Sequence, residues 1–180
     1  MNFPPNVRKV AQAVARILEK SGGNADYLRV MKLLYLADRE SIVRRGIPIS
    51  GGKYYSMRKG PVIGDAMNLV NQRNSDDWKG MIAPRVGHSL SLQSPPSFDE
   101  LSEVEVNMLD EIVEQHSERS TEGLVEWCHN HCGEYTPVHL WTRKPISVES
   151  ILLAEKKTQN QIARVVREAQ SISKLDAMLA

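Results

Sequence analysis

The spacing of apolar residues along the first quarter of the chain predicts two helices. Apolar residues recur at steps of three and four between residues 6 and 20, which is typical of an amphipathic helix. A broader apolar face runs from about residue 25 to 45, so we expect this second helix to lie centrally in a bundle. Ser21-Gly22-Gly23 separates the two helices, Asn24 is expected to cap the second, and Gly46 is expected to end it.

The middle of the chain has the pattern of a small sheet. Residues 53–57 are short and aromatic, which predicts a strand. Residues 59–62 contain glycine and proline, and we expect a turn there before a helix over 63–73. Apolar residues alternate between positions 78 and 93, which predicts a hairpin. Residues 94–97, with two prolines between serines, read as a linker.

Helix-start signals dominate the second half of the chain. Ser102 and Glu105 have the spacing of a capping box, and a further helix is expected to start at residue 120 or 121. Ser147 is expected to start a last, long helix, interrupted by a polar stretch at 155–161. The predicted fold class is α+β but mainly α: a helical bundle with a small antiparallel β-sheet or hairpin and a long C-terminal helix.

The composition is that of an ordinary globular protein and excludes several classes. The chain has 180 residues, of which 41% are hydrophobic and 25% charged. No apolar run is long enough for a membrane span, and the N-terminus lacks a signal core, so we expect a cytoplasmic protein. Two cysteines cannot build a disulfide framework, and the scattered glycines include no phosphate-binding loop. Rossmann enzymes and P-loop ATPases are therefore not indicated.

The net charge of +1 hides three blocks of different charge. Residues 1–97 carry 15 basic and 7 acidic residues, a net +8. Residues 98–142 carry one arginine and 11 acidic residues, a net −10, and the remainder is +3. The acidic block either lies on the basic first half, the interpretation we favour, or faces an oppositely charged partner. No segment interleaves dense basic residues with aromatic ones, so nucleic-acid binding is not indicated.

A cluster of cysteine and histidine residues raises the possibility of a zinc site. On a helix, Cys128, His131 and Cys132 would share one face, and His139 could supply a fourth ligand. Structural zinc sites normally take their ligands from two separated pairs, and this chain has one cluster. We therefore favour a helix end with a buried thiol and polar imidazoles. A metal-dependent enzyme or zinc-binding protein centred on this cluster is the alternative.

Several motifs together resemble the Panacea domain, the SocA-like antitoxin family that is also found among phage-associated proteins. The resemblance rests on KLLYLADR at 32–39, GIPISG at 46–51 and KGPV at 59–62. LVEWCH at 124–129 and PISVESI at 145–151 resemble later family segments, although Cys128 stands where the family usually has threonine. The residues carrying the resemblance are Lys32, Leu34, Tyr35, Asp38, Tyr54, Gly60, Pro61 and His129.

The resemblance implies a bacterial or prophage-encoded antitoxin that works by protein–protein interaction. Such a protein neutralises a cognate toxin by direct binding, in some members as an adaptor that hands the toxin to a cellular protease. It implies no catalytic residue, cofactor or membrane contact. We expect a Panacea-like domain over residues 1–153 and a C-terminal helical extension over 154–180.

The spacing of Lys32, Tyr35 and Asp38, at steps of three, places these side chains along one flank of the second helix. They form either a polar patch that orients the 60–61 turn or a partner, or a set that fixes the fold, which we favour. Two other surfaces are candidates for contact with the toxin: an acidic one and an apolar one. Their residues are Glu111, Glu114 and Glu118, and Ile162, Val165, Ala169 and Ile172.

Overall fold

The computed structural model describes residues 3–72, 78 and 80–179, without the side chains of 72, 169, 170 and 172–179. No helix in this described part combines the length and apolarity that a membrane span requires. The helices within it are α1 (Val7–Lys20), α2 (Tyr27–Arg45), α3 (Gly64–Gln72), α4 (Glu103–Gln115), α5 (Thr121–His131), α6 (Val148–Ala154) and α7 (Gln159–Leu179). The strands are β1 (Asn24–Asp26), β2 (Tyr54–Met57), β3 (Gly60–Ile63), β4 (Ser89–Ser91) and β5 (Lys144–Ile146).

The strands form two small antiparallel sheets. β1 pairs with β4, and β2 lies between β3 and β5 in a three-stranded sheet. Tyr54 of β2 stands opposite Ile63 on one side and Ile146 on the other, and all three are buried. The inner face of this sheet therefore closes one side of the helical core. The expectation of a mainly helical α+β fold is confirmed.

Helix α2 is the centre of the molecule, as its broad apolar face predicts. Twelve of its residues are buried, and it contacts α1, α4, α5 and α6. The expected end at Gly46 is confirmed, because this residue takes the left-handed conformation with φ +79°. A side chain there would meet Val165 of α7, so the glycine also allows α7 to approach.

The acidic block pairs with the basic first half of the chain. Helix α4 packs on α1 and α2, and the carboxylates in and before it accept from their basic side chains. This bears out the favoured interpretation of the charge pattern. The N···O distances lie between 2.6 and 3.0 Å, and the ion pairs are Lys9–Glu105, Arg16–Asp110, Arg8–Asp99, Arg8–Glu100 and Arg44–Glu111.

The predicted cap of α2 at Asn24 is wrong. The helix begins two residues later, where Asp26 Oδ1 accepts from the backbone N–H of Leu28 at 2.9 Å and of Arg29 at 3.2 Å. Asn24 lies in β1, and its side-chain amide donates to Ser91 Oγ at 2.6 Å. Pairing with a distant strand therefore decides the conformation of a residue that, by itself, is a good cap.

The middle segment contains the predicted hairpin but not the predicted turn. Val86 and Ser89 exchange backbone hydrogen bonds of 3.2 and 2.9 Å, and the Ala83 N–H donates to the Ser91 carbonyl at 2.9 Å. Strand β4, in the second arm of this hairpin, also pairs with β1. Pro61, expected in a turn, lies in β3, and the turn before it is at residues 58–59. Proline is tolerated there because β3 is an edge strand. The predicted helix over 63–73 is α3, and residue 73 lies outside the described residues.

The C-terminal segment forms two helices where one was predicted. Lys156 takes a left-handed φ of +57° between α6 and α7, and Thr158 then donates its backbone N–H to Gln161 Oε1 at 2.8 Å. The polar stretch at 155–161 therefore contains a break between two helices. Strand β5, which precedes α6, was not predicted. The division into a domain over 1–153 and an extension stays a prediction.

We expect Glu105→Gln to lower the free energy of unfolding by about 1–3 kcal/mol. Glu105 is 2% exposed and accepts from Lys9 Nζ at 2.9 and 3.0 Å and from the Ser102 N–H at 2.9 Å. Burial opposes its ionisation, but these donors outweigh burial and lower the pKa of Glu105. The stabilisation should therefore be present above pH 4.5 and disappear as the pH falls below it.

Urea denaturation at pH 7 and pH 3.5 measures this effect. The control is Glu111→Gln, which breaks an ion pair with Arg44 whose two side chains are both more than half exposed. That substitution should cost less than about 1 kcal/mol at either pH. Equal losses in the two variants would contradict the assignment.

Candidate functional site

A row of buried polar residues along α2 forms the candidate site. Lys32, Tyr35 and Asp38 are 0% exposed, and Arg39 is 7% exposed. Polar groups cost free energy in a protein interior unless they are hydrogen-bonded, so their partners decide what the row does. We call these four residues the α2 polar network.

Asp38 joins α2 to the loop that follows it and to the sheet. Its Oδ1 accepts from the backbone N–H groups of Ile49 at 3.0 Å and Ser50 at 2.9 Å. Its Oδ2 accepts from the Ser50 hydroxyl at 2.8 Å and the Tyr54 hydroxyl at 3.0 Å. Burial raises the pKa of Asp38 to about 6, although these hydrogen bonds favour the ionised form. One carboxylate thus holds the 46–51 loop and β2 against α2.

Lys32 makes the corresponding connection to β3. Its Nζ donates to the Pro61 carbonyl at 2.6 Å, and burial lowers the pKa of Lys32 to about 8. Gly60 has φ +94°, and a Cβ there would lie 3.1 Å from Lys32 Nζ and 3.2 Å from His129 Cδ2. The His129 ring stacks on Tyr135 with centroids 4.6 Å apart. Glycine is therefore required at residue 60 both for its backbone conformation and for space.

Tyr35 and Arg39 hold a buried carboxylate that the sequence analysis did not single out. Glu134 has a side chain that is 0% exposed, and its Oε1 accepts from the Tyr35 hydroxyl at 2.5 Å and from Arg39 Nε at 2.8 Å. Arg39 Nη2 also reaches Glu155 Oε1 at 2.7 Å. Arg39 lies inside the KLLYLADR motif, which was the signal available in the sequence. Nothing local marks Glu134 as its partner.

The structure brings the eight family-motif residues together around α2. Lys32, Gly60, Pro61 and His129 meet at one end of the polar network. At the other end, Tyr54 donates to Asp38 and lies edge-on to Tyr35, and Leu34 packs in the apolar core. The Tyr54 hydroxyl lies 3.0 Å from Asp38 Oδ2, and the ring centroids of Tyr54 and Tyr35 are 6.0 Å apart. The side-chain hydrogen bonds of Lys32, Tyr35, Asp38 and Tyr54 are thus all made within the fold.

The predicted common face holds for the two cysteines but not for His131. Cys128 and Cys132 are both buried, the Cys132 N–H donates to the Cys128 carbonyl at 3.1 Å, and the two thiols are within hydrogen-bonding reach of each other. The exposed His131 ring stacks flat on Trp127, and its Nδ1 lies 2.9 Å from the Trp127 carbonyl oxygen. His139 lies in a later exposed turn. Within the described ranges, no three His, Cys, Asp or Glu residues are placed to hold a metal ion.

The three glutamates predicted to contact a partner have different surroundings. Glu111 forms an ion pair with Arg44 at 2.9 Å. Glu114 and Glu118 are exposed, and the part of the chain that the structure describes contains no ion pair to either. Glu114 and Glu118 stay predicted partner contacts.

The apolar stripe predicted on the last helix is partly covered by the molecule itself. Ile162 is 6% exposed, and Val165 packs on the core beside Gly46. These two residues therefore attach α7 to the domain. The side chains of Ala169 and Ile172, the other predicted contacts, lie outside the described residues.

Taken together, the fold and the site define a class: a mainly helical domain whose central helix is tied by buried polar residues to a small sheet. The family model described as antitoxin SocA-like, Panacea domain matches residues 30–134, more than half of the chain. The protein belongs to this family. The matched region contains the whole α2 polar network, all eight motif residues and Glu134. No curated protein matches the chain, and no solved structure does.

Replacing Asp38 should show how strongly the buried carboxylate stabilises the fold. Asp38→Ala leaves four donors without an acceptor and should cost more than about 3 kcal/mol, whereas Asp38→Asn keeps one oxygen and should cost less. The folded pKa, about 6, lies above the ordinary value of 3.8, so the wild type loses stability as the pH rises from 4 to 6. The deficit of Asp38→Asn should therefore shrink between pH 4.5 and pH 7.

Urea denaturation at both pH values tests this expectation. Asp65→Asn is the control, because Asp65 accepts one backbone N–H, that of Lys53 at 2.7 Å, at an exposed site. Its deficit should stay below about 1 kcal/mol at both pH values. A constant deficit for Asp38→Asn would refute the role given to burial.

The titration of Lys32 should raise the free energy of unfolding as the pH rises, whereas that of Asp38 lowers it. Because the folded pKa of Lys32 is about 8 against an ordinary 10.5, the unfolded chain keeps this proton longer, and the wild type gains stability between pH 8 and pH 10. Lys32→Met removes the titration and should flatten this rise, with a change of less than about 2 kcal/mol at pH 7. Chemical denaturation at pH 7, 8, 9 and 10 measures it. The exposed Lys59→Met variant should keep the wild-type slope; an unaltered slope in Lys32→Met would be inconsistent with a buried charge.

Proposed function

We propose that this protein is an antitoxin that neutralises a cognate protein toxin by direct binding and carries out no catalysis itself. The observation that carries the proposal is the family match over residues 30–134. A toxin inhibitor needs a stable scaffold and a surface complementary to the toxin. The α2 polar network supports the first of these, since its hydrogen bonds are made inside the fold.

The internal use of the motif residues supports a recognition surface elsewhere on the molecule. Asp38, Lys32 and Tyr35 are buried, and their partners are a loop, a strand and Glu134. A partner cannot contact groups that have no exposed surface. Specific binding therefore falls to exposed side chains, of which aromatic and arginine residues usually supply most of the affinity.

A second form of the proposal is an adaptor that delivers the toxin to a cellular protease. Helix α7 lies wholly outside the region that the family model matches, and it packs on the rest of the molecule through Ile162 and Val165. Such a separate helix is suited to a contact other than the toxin surface. Both forms require a specific complex with the toxin, and they differ in whether the toxin survives.

The test is neutralisation of the protein encoded beside this chain's gene. Expressed alone, that protein should arrest growth; co-expressed with this chain, it should be tolerated and should copurify with it. Direct inhibition predicts that the two purified proteins suffice to block the toxin's activity. Adaptor action predicts that rescue needs the host protease and that the toxin's half-life falls. Absence of rescue together with absence of a complex would refute both forms.

A further inference from the structure

The segment between α5 and β5 contains a strained turn at its tip. The Thr142 N–H donates to the His139 carbonyl at 3.2 Å, and its hydroxyl donates to the same oxygen at 2.8 Å, so residues 139–142 form a β-turn. The central residues are Leu140 and Trp141, and Trp141 has φ +68°. This position of a turn normally holds glycine or asparagine, and a left-handed tryptophan costs about 1–2 kcal/mol.

Trp141 is unlike the other two tryptophans of the chain. Its exposure is 99%, and that of neighbouring Leu140 is 56%. Trp78 is buried, and Trp127 packs between His116 and His131. An indole that stays in water contributes none of the stabilisation that burying it would give, and among side chains that stabilisation is the largest. Together with the backbone strain, this exposure has no compensation within the fold, which is typical of a binding residue.

The sheet register places basic residues around this tip. Ser56 of β2 stands opposite Lys144 of β5, so the chain entering β5 runs beside the 58–59 turn that joins β2 to β3. The Arg143 guanidinium lies 4.5 Å above the Tyr55 ring, which holds it at the surface. We call this surface the turn face. Its residues are Arg58, Lys59, Leu140, Trp141, Arg143 and Lys144.

The charges of the turn face are free to meet a partner. All four cations are exposed, and among the residues that the structure describes none of them forms an ion pair with a carboxylate. This contrasts with the α1–α2–α4 interface, where opposite charges pair within the fold. An apolar tip surrounded by unpaired positive charge is complementary to an apolar pocket with an acidic rim.

We infer that the turn face is the surface that binds the toxin, with the Trp141 indole inserted into an apolar pocket whose rim carries carboxylates. The inference rests on the proposed function and adds to it the surface and the chemistry of the partner. A protein partner is favoured over nucleic acid because the tip offers one indole and an aliphatic neighbour, whereas single-stranded nucleic acid needs a row of aromatic platforms. The turn lies outside residues 30–134, just before β5, the strand that pairs with β2.

Trp141→Gly and Lys156→Gly form a matched pair for the test. Each replaces an exposed residue of positive φ, +68° and +57° respectively, with the residue that adopts it without strain. Both variants should therefore keep or raise the thermal midpoint of unfolding. Only Trp141→Gly should weaken toxin binding, by at least about 30-fold, because an indole at an interface centre has a large share of the affinity.

Charge variants test the rim of the proposed pocket. Arg143→Glu with Lys144→Glu should slow association several-fold at low salt and much less at high salt, since the steering would be screened. Glu114→Lys with Glu118→Lys changes the other candidate surface by the same number of charges. If that pair slows association as much while Trp141→Gly binds within about twofold of the wild type, the inference is overturned.

Fluorine NMR gives a readout that does not depend on stability. With 5-fluorotryptophan the chain should give three resonances, and the one missing in Trp141→Gly belongs to Trp141. Addition of unlabelled toxin should move that line and leave the lines of Trp78 and Trp127 near their free positions. A stationary Trp141 line in the complex would overturn the inference.

The outcomes separate this inference from the proposed function. If the wild type and Trp141→Gly rescue growth and bind the toxin equally, the surface is wrong and the antitoxin role stands. If the wild type binds no toxin, both fall. Tight binding of a single-stranded oligonucleotide by the wild type, lost in Trp141→Gly, would assign the turn face to nucleic acid and overturn a protein partner.

Discussion

The need to satisfy a buried carboxylate determines how the helical and β parts of this protein fit together. Asp38 is fully buried on the central helix, and burying a charge without donors would cost several kcal/mol. Its four donors come from Ile49, Ser50 and Tyr54, which belong to the loop after α2 and to β2. The loop cannot move without exposing the carboxylate or leaving its own N–H groups unpaired. Because β2 is the middle strand, β3 and β5 are positioned through the same residue.

A second connection from the same helix makes this arrangement rigid. Lys32 lies almost two turns before Asp38 and bonds the Pro61 carbonyl in β3, at a point where Gly60 leaves room for the ammonium group. Two anchor points on one helix fix both the position of the sheet and its rotation. Arg39 and Glu134 add a third connection, to the chain beyond α5. The family motif therefore consists of residues that connect α2 to the rest of the fold. This role explains why they are buried in a binding protein.

Local sequence signals predicted the helices well. The wrong predictions fall where contacts between residues distant in sequence decide the structure. The capping box at Ser102 and the glycine end at Gly46 depend on atoms within a few residues, so both were correct. Asn24 does not cap α2, because its side chain bonds Ser91, which lies 67 residues away in β4. The sequence also showed the polar flank of α2. It did not show that Glu134 is the partner of Arg39, because the two residues are 95 positions apart. The zinc hypothesis grouped His131 with the two cysteines, but the His131 ring stacks on Trp127 and stays exposed.

The rigidity of the scaffold also explains how a strained tip can exist. A tryptophan in a left-handed turn would relax in a flexible loop, because the strain of about 1–2 kcal/mol is comparable to the cost of reordering a few residues. Here Trp141 lies three residues before β5. This strand pairs with β2, and β2 is bound to Asp38 through the Tyr54 hydroxyl. An indole that is already ordered loses little conformational entropy when it enters a pocket. Strain in the free protein is therefore physically consistent with tighter binding, and it favours the sheet end over the outer turns of α7 as the surface for recognition.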